Sequence, residues 1–171
     1  MTNSCIELMY NFESIENIYL DMSKRIETLD QLPNSLQRGF ESALAASNHS
    51  DWPTRRTQMG SAIFIGSRLL SIGFNHFEKT KPGNRFYKIH KDGHITEYFK
   101  PLHAEQSAMV KIKYREYPAR KKLVMFVCRT DAQGRPASSF PCQMCQAEIS
   151  KSSISTVHFF APGGYYGRWD V

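Results

Sequence analysis

Ile15, Ile18, Tyr19, Met22, Ile26 and Leu29 recur every three or four positions, and that period predicts an amphipathic helix over residues 14–30. Gln31-Leu32-Pro33-Asn34 interrupts it. A second helix is expected from about Ser35 to near Asn48, with Leu36, Phe40, Ala43 and Leu44 on one face. Residues 61–65 and 69–74 are apolar enough for two short strands, and Gly66-Ser67-Arg68 between them predicts a hairpin. Residues 86–89 and 95–99 flank Lys91-Asp92-Gly93, which reads as a second hairpin or an ordered loop.

Pro101 opens a further helical segment over residues 103–114, with Ala108 and Ile112 suited to a buried face. Residues 123–128 are apolar throughout, as expected of a strand buried on both faces. Residues 130–140 carry Gly134, Pro136 and two serines and read as a loop. Pro141 suits the first position of a new helix reaching about Ser153, with Ser139 upstream as its cap. A final strand is expected at 156–160, and the tail over 162–167, with three glycines, reads as loop. An early hairpin followed by strand–helix alternation implies an α/β fold, a mixed sheet with helices on both faces.

The length of 171 residues suits one domain, and 41% hydrophobic with 22% charged residues is a globular balance. Neither a signal peptide nor an apolar run of membrane-spanning length is legible, so the expectation is a soluble cytoplasmic protein that does not engage a membrane. A net charge of +6 favours phosphate-bearing partners without naming one. Its local clusters, Arg55-Arg56, Lys111 with Lys113, and Arg120-Lys121-Lys122, read first as solvated loops and helix ends. Of four cysteines, Cys142 and Cys145 form a close pair, Cys128 lies in an apolar run as a small buried hydrophobe, and Cys5 carries no signal.

The chemistry concentrates in two segments, His103-Ala104-Glu105 and Pro141-Cys142-Gln143-Met144-Cys145. Either alone is weak, since His-x-Glu arises by chance and Cys-x-x-Cys also serves redox chemistry. Both fall at expected helix starts, and such starts converge at one end of an α/β sheet. One imidazole and two thiolates leave a tetrahedral zinc one open position, the mark of a catalytic rather than a structural site. Glu105, two residues from His103, does not share its helical face, so it is expected to handle protons rather than to bind the metal. His90 and His94 flank Asp92-Gly93 and stand either as exposed loop histidines or as a second metal pair.

With these residues in view, the chain resembles the cytidine and deoxycytidylate deaminase superfamily over about residues 58–161, most tightly at the His-x-Glu and Pro-Cys-x-x-Cys segments. Residues 60–65 and 70–75 are similar to the first two strands of members that act on nucleotides. The resemblance implies a three-layer α/β/α fold with a five-stranded mixed sheet. It implies zinc as cofactor, with His103, Cys142 and Cys145 as ligands and Glu105 as catalytic proton shuttle. It implies substrate contacts from Asn75 and from the backbone N–H of Ala104. Residues 1–50 are then an N-terminal helical extension packed on the core, and 51–171 the deaminase domain, in a single-domain chain. Residues 83–100 form a long insertion, and the last helix of many relatives is short or missing after Ala161. Members commonly assemble, so a homo-oligomer is implied.

The expected activity is hydrolytic deamination of a cytosine nucleotide or nucleoside, deoxycytidylate first. Two alternatives stay open. One is deamination of cytosine or adenine within single-stranded DNA or RNA, for which Trp52, Trp169, Tyr165 and Tyr166 offer stacking surfaces. The other is a non-catalytic zinc-stabilised nucleotide-binding module, which gives Glu105 no purpose.

Overall fold

The computed structural model describes residues 17–53, 58–77, 85–93, 95–99, 101–112 and 122–171. Among these residues the elements run β1 (Ile18–Arg25), α1 (Asn34–Ser47), β2 (Gly60–Ile65), β3 (Arg68–Phe74), β4 (Arg85–Ile89), β5 (Ile95–Phe99), α2 (Ala104–Met109), β6 (Leu123–Cys128), α3 (Gln143–Ile149), β7 (Ile154–Ala161) and β8 (Tyr165–Asp170). The main sheet has the order β1-β8-β7-β6-β2-β3, and β4 pairs with β5 as a separate hairpin.

β6 explains the layering. Its apolar residues alternate in direction, so Leu123, Met125 and Val127 enter one core and Phe126 and Cys128 the other. On the first face lie Ala108 and Met109 of α2 with Cys145 and Ile149 of α3. On the second, Phe40 and Ala43 of α1 cover the sheet, and the Phe40 ring stands 4.4 Å from Phe160 and 5.3 Å from Phe126. Two glycines let the layers close. A β-carbon at Gly60 would lie 1.8 Å from the Ala43 carbonyl oxygen, and one at Gly73 would lie 2.2 Å from the Ala108 nitrogen. α1 and α2 therefore rest directly on the backbones of β2 and β3.

β6 and β7 are parallel and joined through α3, while the other pairs in the sheet are antiparallel. A parallel pair needs such a crossover, which carries the chain from the end of β6 to the start of α3 before it returns. That corner of the sheet holds the site.

The expected three-layer α/β architecture is present, with two corrections that are one event. The sheet has six strands, not five. Residues 18–25, expected to be helical, form β1, and the tail expected to be a loop forms β8. The two strands pair with each other, Ile18 opposite Trp169 and Leu20 opposite Gly167. Half-buried Ile18 and Leu20 flank exposed Tyr19, a period of two that the helical spacing of the longer window conceals. Gly163 and Gly164, at φ +86° and +81°, make the turn that returns the chain from β7 to β8. The segment before residue 50 thus supplies an edge strand and the helix that covers one face. Both early hairpins and α1 lie where the pattern places them.

Two helices are shorter than expected. α2 ends at Met109, and residues 113–114 of its expected span lie outside the described residues. α3 starts at Gln143, so Pro141 precedes it, and Ser139 does not cap it. The Ser139 hydroxyl instead donates to Val127 O at 2.8 Å and accepts Phe160 N–H at 3.0 Å, stapling the connecting loop between β6 and β7. No helix among the described residues is long and apolar enough to cross a membrane.

His158 on β7 is buried, stacked 4.7 Å from the Phe126 ring, with Nδ1 2.8 Å from the Tyr166 hydroxyl. Burial, with the nearby Arg168 charge, pushes its imidazole down from 6.5 to about 4. The unfolded chain therefore binds the extra proton between these values, so this stabilisation is complete above pH 6.5 and is lost as pH falls toward 4. It amounts to about 3 kcal/mol at most. His158→Gln should flatten the stability profile between pH 6.5 and 4 in urea titrations; a slope equal to that of the wild type would contradict this assignment.

Candidate metal centre

His103 sits immediately before α2 in extended conformation, φ −78° and ψ 156°. Its place is fixed from the preceding side, because His76 N–H donates to Leu102 O at 2.8 Å and ties the segment to the end of β3. Cys142 holds the corresponding place before α3, at φ −68° and ψ 163°, and Cys145 follows in the first turn. Three positions apart, both thiols face the same direction. Gln146 steadies this turn by donating its side-chain N–H to Pro141 O at 2.6 Å.

The two segments meet. Each sulfur lies 3.4 Å from His103 Nδ1, and the three ligand atoms lie within 4.8 Å of one another. In a tetrahedral zinc site, bond lengths of about 2.0–2.3 Å put a nitrogen and a sulfur ligand about 3.6 Å apart. The observed spacing fits zinc, and no movement of either helix is needed. Among the described residues this is the metal-competent cluster of His, Cys, Asp and Glu side chains. It provides three protein ligands, so a fourth position is left for water or substrate.

The charges at the site depend on one another. The Cys142 thiol is pulled down to about 3, chiefly by the hydrogen bond from Cys145 and also by His103. Cys145 moves the opposite way, because it donates that hydrogen bond, is buried and faces Glu105. A divalent cation held here would take both sulfurs as thiolates and release their protons. Cys128 takes no part, since burial alone pushes its thiol up to about 12.

Glu105 is 2% exposed. Burial raises its carboxyl above the ordinary range, against a smaller lowering by its own backbone N–H and by His103. A shift in this direction strengthens the carboxylate as a proton acceptor, the property a general base uses. Ala104 is buried as the first residue of α2, so its N–H has no carbonyl of the helix to bond.

Asn75 follows β3 and is 7% exposed. Its Oδ1 accepts Met59 N–H at 2.7 Å and the Ser50 hydroxyl at 2.8 Å. The carbonyl oxygen is thereby committed, and any contact that Asn75 makes with a ligand runs through its amide donor. The aromatic candidates for stacking fare worse. Trp169 is 5% exposed within the core, Tyr165 packs against the same core, and the Tyr166 hydroxyl faces His158. Trp52 is half-buried, edge-on to Phe77. His90 is half-buried, and His94 lies outside the described residues.

Two further residues join the centre, Gln106 and Glu148. Gln106 is fully buried, accepts His103 N–H at 3.2 Å and donates to Glu148 Oε1 at 2.8 Å. A glutamine three residues after a helix cap is a legible capping signal, and the sequence reading passed over it. Glu148 carries no local signal.

A family model of the cytidine and deoxycytidylate deaminase zinc-binding region matches residues 33–161. An uncharacterised deaminase from the luxG 3′ region of Aliivibrio fischeri is 29% identical over 124 residues, which are 71% of this chain and 69% of that protein. Among solved structures, the chain is similar to the deoxycytidylate deaminase of cyanophage S-TIM5 in apo form, with a TM-score of 0.46 and 20% identity over 74% of this chain and 82% of that one. It is also similar to cytidine deaminase from Burkholderia pseudomallei, with a TM-score of 0.47 and 15% identity over 75% and 84%.

If the three ligands act together, Cys142→Ala should drop zinc from about one ion per chain to almost none, because two protein ligands rarely retain the ion. Elemental analysis of the purified variant checks this. Full occupancy would contradict the ligand assignment.

Proposed function

Because the chain belongs to the cytidine and deoxycytidylate deaminase family, we propose that it acts on a free cytosine nucleotide, deoxycytidylate first, with His103, Cys142 and Cys145 as zinc ligands and Glu105 as proton shuttle. The chain is a zinc-dependent hydrolytic deaminase of a nucleobase amine. The observation that carries the reading is a buried carboxyl beside a three-ligand cluster.

The roles follow from position. Zinc, when bound, supplies the Lewis acidity that lets a water molecule ionise near neutral pH. Glu105 takes the proton from that water and passes it to the ring nitrogen next to the amine-bearing carbon. The water oxygen adds to that carbon. Glu105, left ionised, then takes the remaining proton from the added hydroxyl and delivers it to the amine; the carbon–nitrogen bond breaks, and ammonia leaves as the hydroxyl becomes a carbonyl. Burial raises its pKa, which favours proton uptake in the first transfer. The Ala104 N–H is assigned to the base carbonyl oxygen.

Asn75 supports a sugar-bearing substrate. Its amide donor matches a hydroxyl or phosphate oxygen, while Met59 and Ser50 hold it in place. The net charge of +6 favours a phosphorylated one. A polynucleotide substrate draws less support, since the C-terminal aromatics proposed for stacking are committed to packing.

Incubating the protein with cytosine, cytidine, deoxycytidine, their monophosphates and single-stranded oligonucleotides, and following the one-unit mass increase with ammonia release, tests the reading. Turnover should be fastest on the monophosphates; deamination confined to oligonucleotides would overturn it. Glu105→Gln should keep its zinc while kcat falls about 10²–10⁴-fold. Turnover near that of the wild type would remove Glu105 from the chemistry.

A further inference from the structure

Zinc ligands 39 and 42 positions apart must be held at a fixed spacing by something other than the ion. α2 spans six residues and α3 seven, too short for either helix to hold its place alone. We propose that Gln106 and Glu148 form a positioning bridge that sets the separation between the imidazole and thiol ligands and so governs how tightly zinc is retained. This rests on His103, Cys142 and Cys145 being the ligands.

The geometry is specific. Gln106 Oε1 accepts the backbone N–H of His103 itself, at 3.2 Å. Its Nε2 donates to Glu148 Oε1 at 2.8 Å. Glu148 lies three positions after Cys145, on the same face of α3. One buried side chain therefore connects the backbone of one ligand to the helical turn that carries the others. A lengthening of either hydrogen bond is felt as a change in the 3.4 Å sulfur–nitrogen spacing.

The residue types are also determined. A main-chain N–H can only donate, so it fixes the amide oxygen of Gln106 on His103 and turns the amide nitrogen toward α3. The partner at 148 must then accept, and a carboxylate is the strongest acceptor available. Opposite a carboxylate at 148, a glutamine suits 106 because it accepts at one end and donates at the other. Groups behind metal ligands commonly control affinity about 10–100-fold, and this bridge occupies that place.

A purely structural role predicts something different. Ala108, Met109, Cys145 and Ile149 already pack the two helices into one core. Loss of the bridge should therefore spare the zinc-free fold and weaken zinc retention.

The test is zinc release from the as-purified protein to excess 4-(2-pyridylazo)resorcinol, read at one absorbance. Gln106→Glu sets two carboxylates against each other and should release zinc about 10–100-fold faster. The exchanged pair, Gln106→Glu with Glu148→Gln, keeps a carboxylate oxygen at 106 to accept the His103 N–H, restores the 106–148 bond with donor and acceptor reversed, and should return near the wild-type rate. Glu148→Ala, at a half-buried position where folding is less at risk, should release zinc as fast as Gln106→Glu. Melting temperatures of the zinc-stripped wild type and Glu148→Ala should stay close. Wild-type release rates in both single variants, or an exchanged pair no slower than Gln106→Glu alone, would overturn the bridge. A wild-type protein without zinc would overturn the ligand assignment instead, which separates the two failures.

Discussion

The contact on which the molecule's chemistry depends is between two helix starts: the imidazole of His103 stands 3.4 Å from each of two sulfurs that arrive about forty residues later. Bringing such groups together without a metal is unfavourable, because a thiolate and a thiol compete for one proton beside a buried carboxyl. The opposed shifts of Cys142 and Cys145 express that competition. The fold resists it with ordinary materials. β6 and β7 are parallel and α3 is their crossover, so Cys142 and Cys145 are carried to the same corner as the end of β6. α2 is set against β3 at Gly73, where any β-carbon would strike the helix backbone. The ligand spacing is thus a property of how closely the layers approach.

The same enclosure sets the character of Glu105. A carboxyl exposed to water would ionise well below neutral pH and take up protons poorly. Buried beside His103 and the two thiols, its affinity for a proton rises. Perturbed carboxyl groups of this kind cluster at sites of chemistry, and the proposed proton-shuttle role of Glu105 draws on that perturbation. Cys128, at the end of β6, shows the contrasting outcome: burial pushes its thiol up to about 12, so it stays protonated at physiological pH.

The parts of this protein that could be read from the sequence are those whose signals are local. The β6 strand is apolar throughout, the β2–β3 hairpin has its turn residues, and α1 has its period, so each lies where the pattern puts it. The ligand triad is legible because its residue types and spacings are rare in combination. β1 and β8 were not legible, since each exists through the other: Ile18 is inward because Trp169 is opposite it, and no window containing only one of them holds that information. Ser139 has the composition of a helix cap, yet the nearer acceptor at Val127 and donor at Phe160 take its hydroxyl. Gln106 was within reach through its capping position, whereas Glu148 is identified only by what lies across from it.

Zinc K-edge X-ray absorption on the purified wild-type protein measures the central contact directly. The account predicts two sulfur scatterers at about 2.3 Å and light-atom scatterers near 2.0 Å that include one imidazole, with total coordination of about four. A shell of four sulfurs, or a spectrum without the outer-shell scattering of an imidazole, would contradict it.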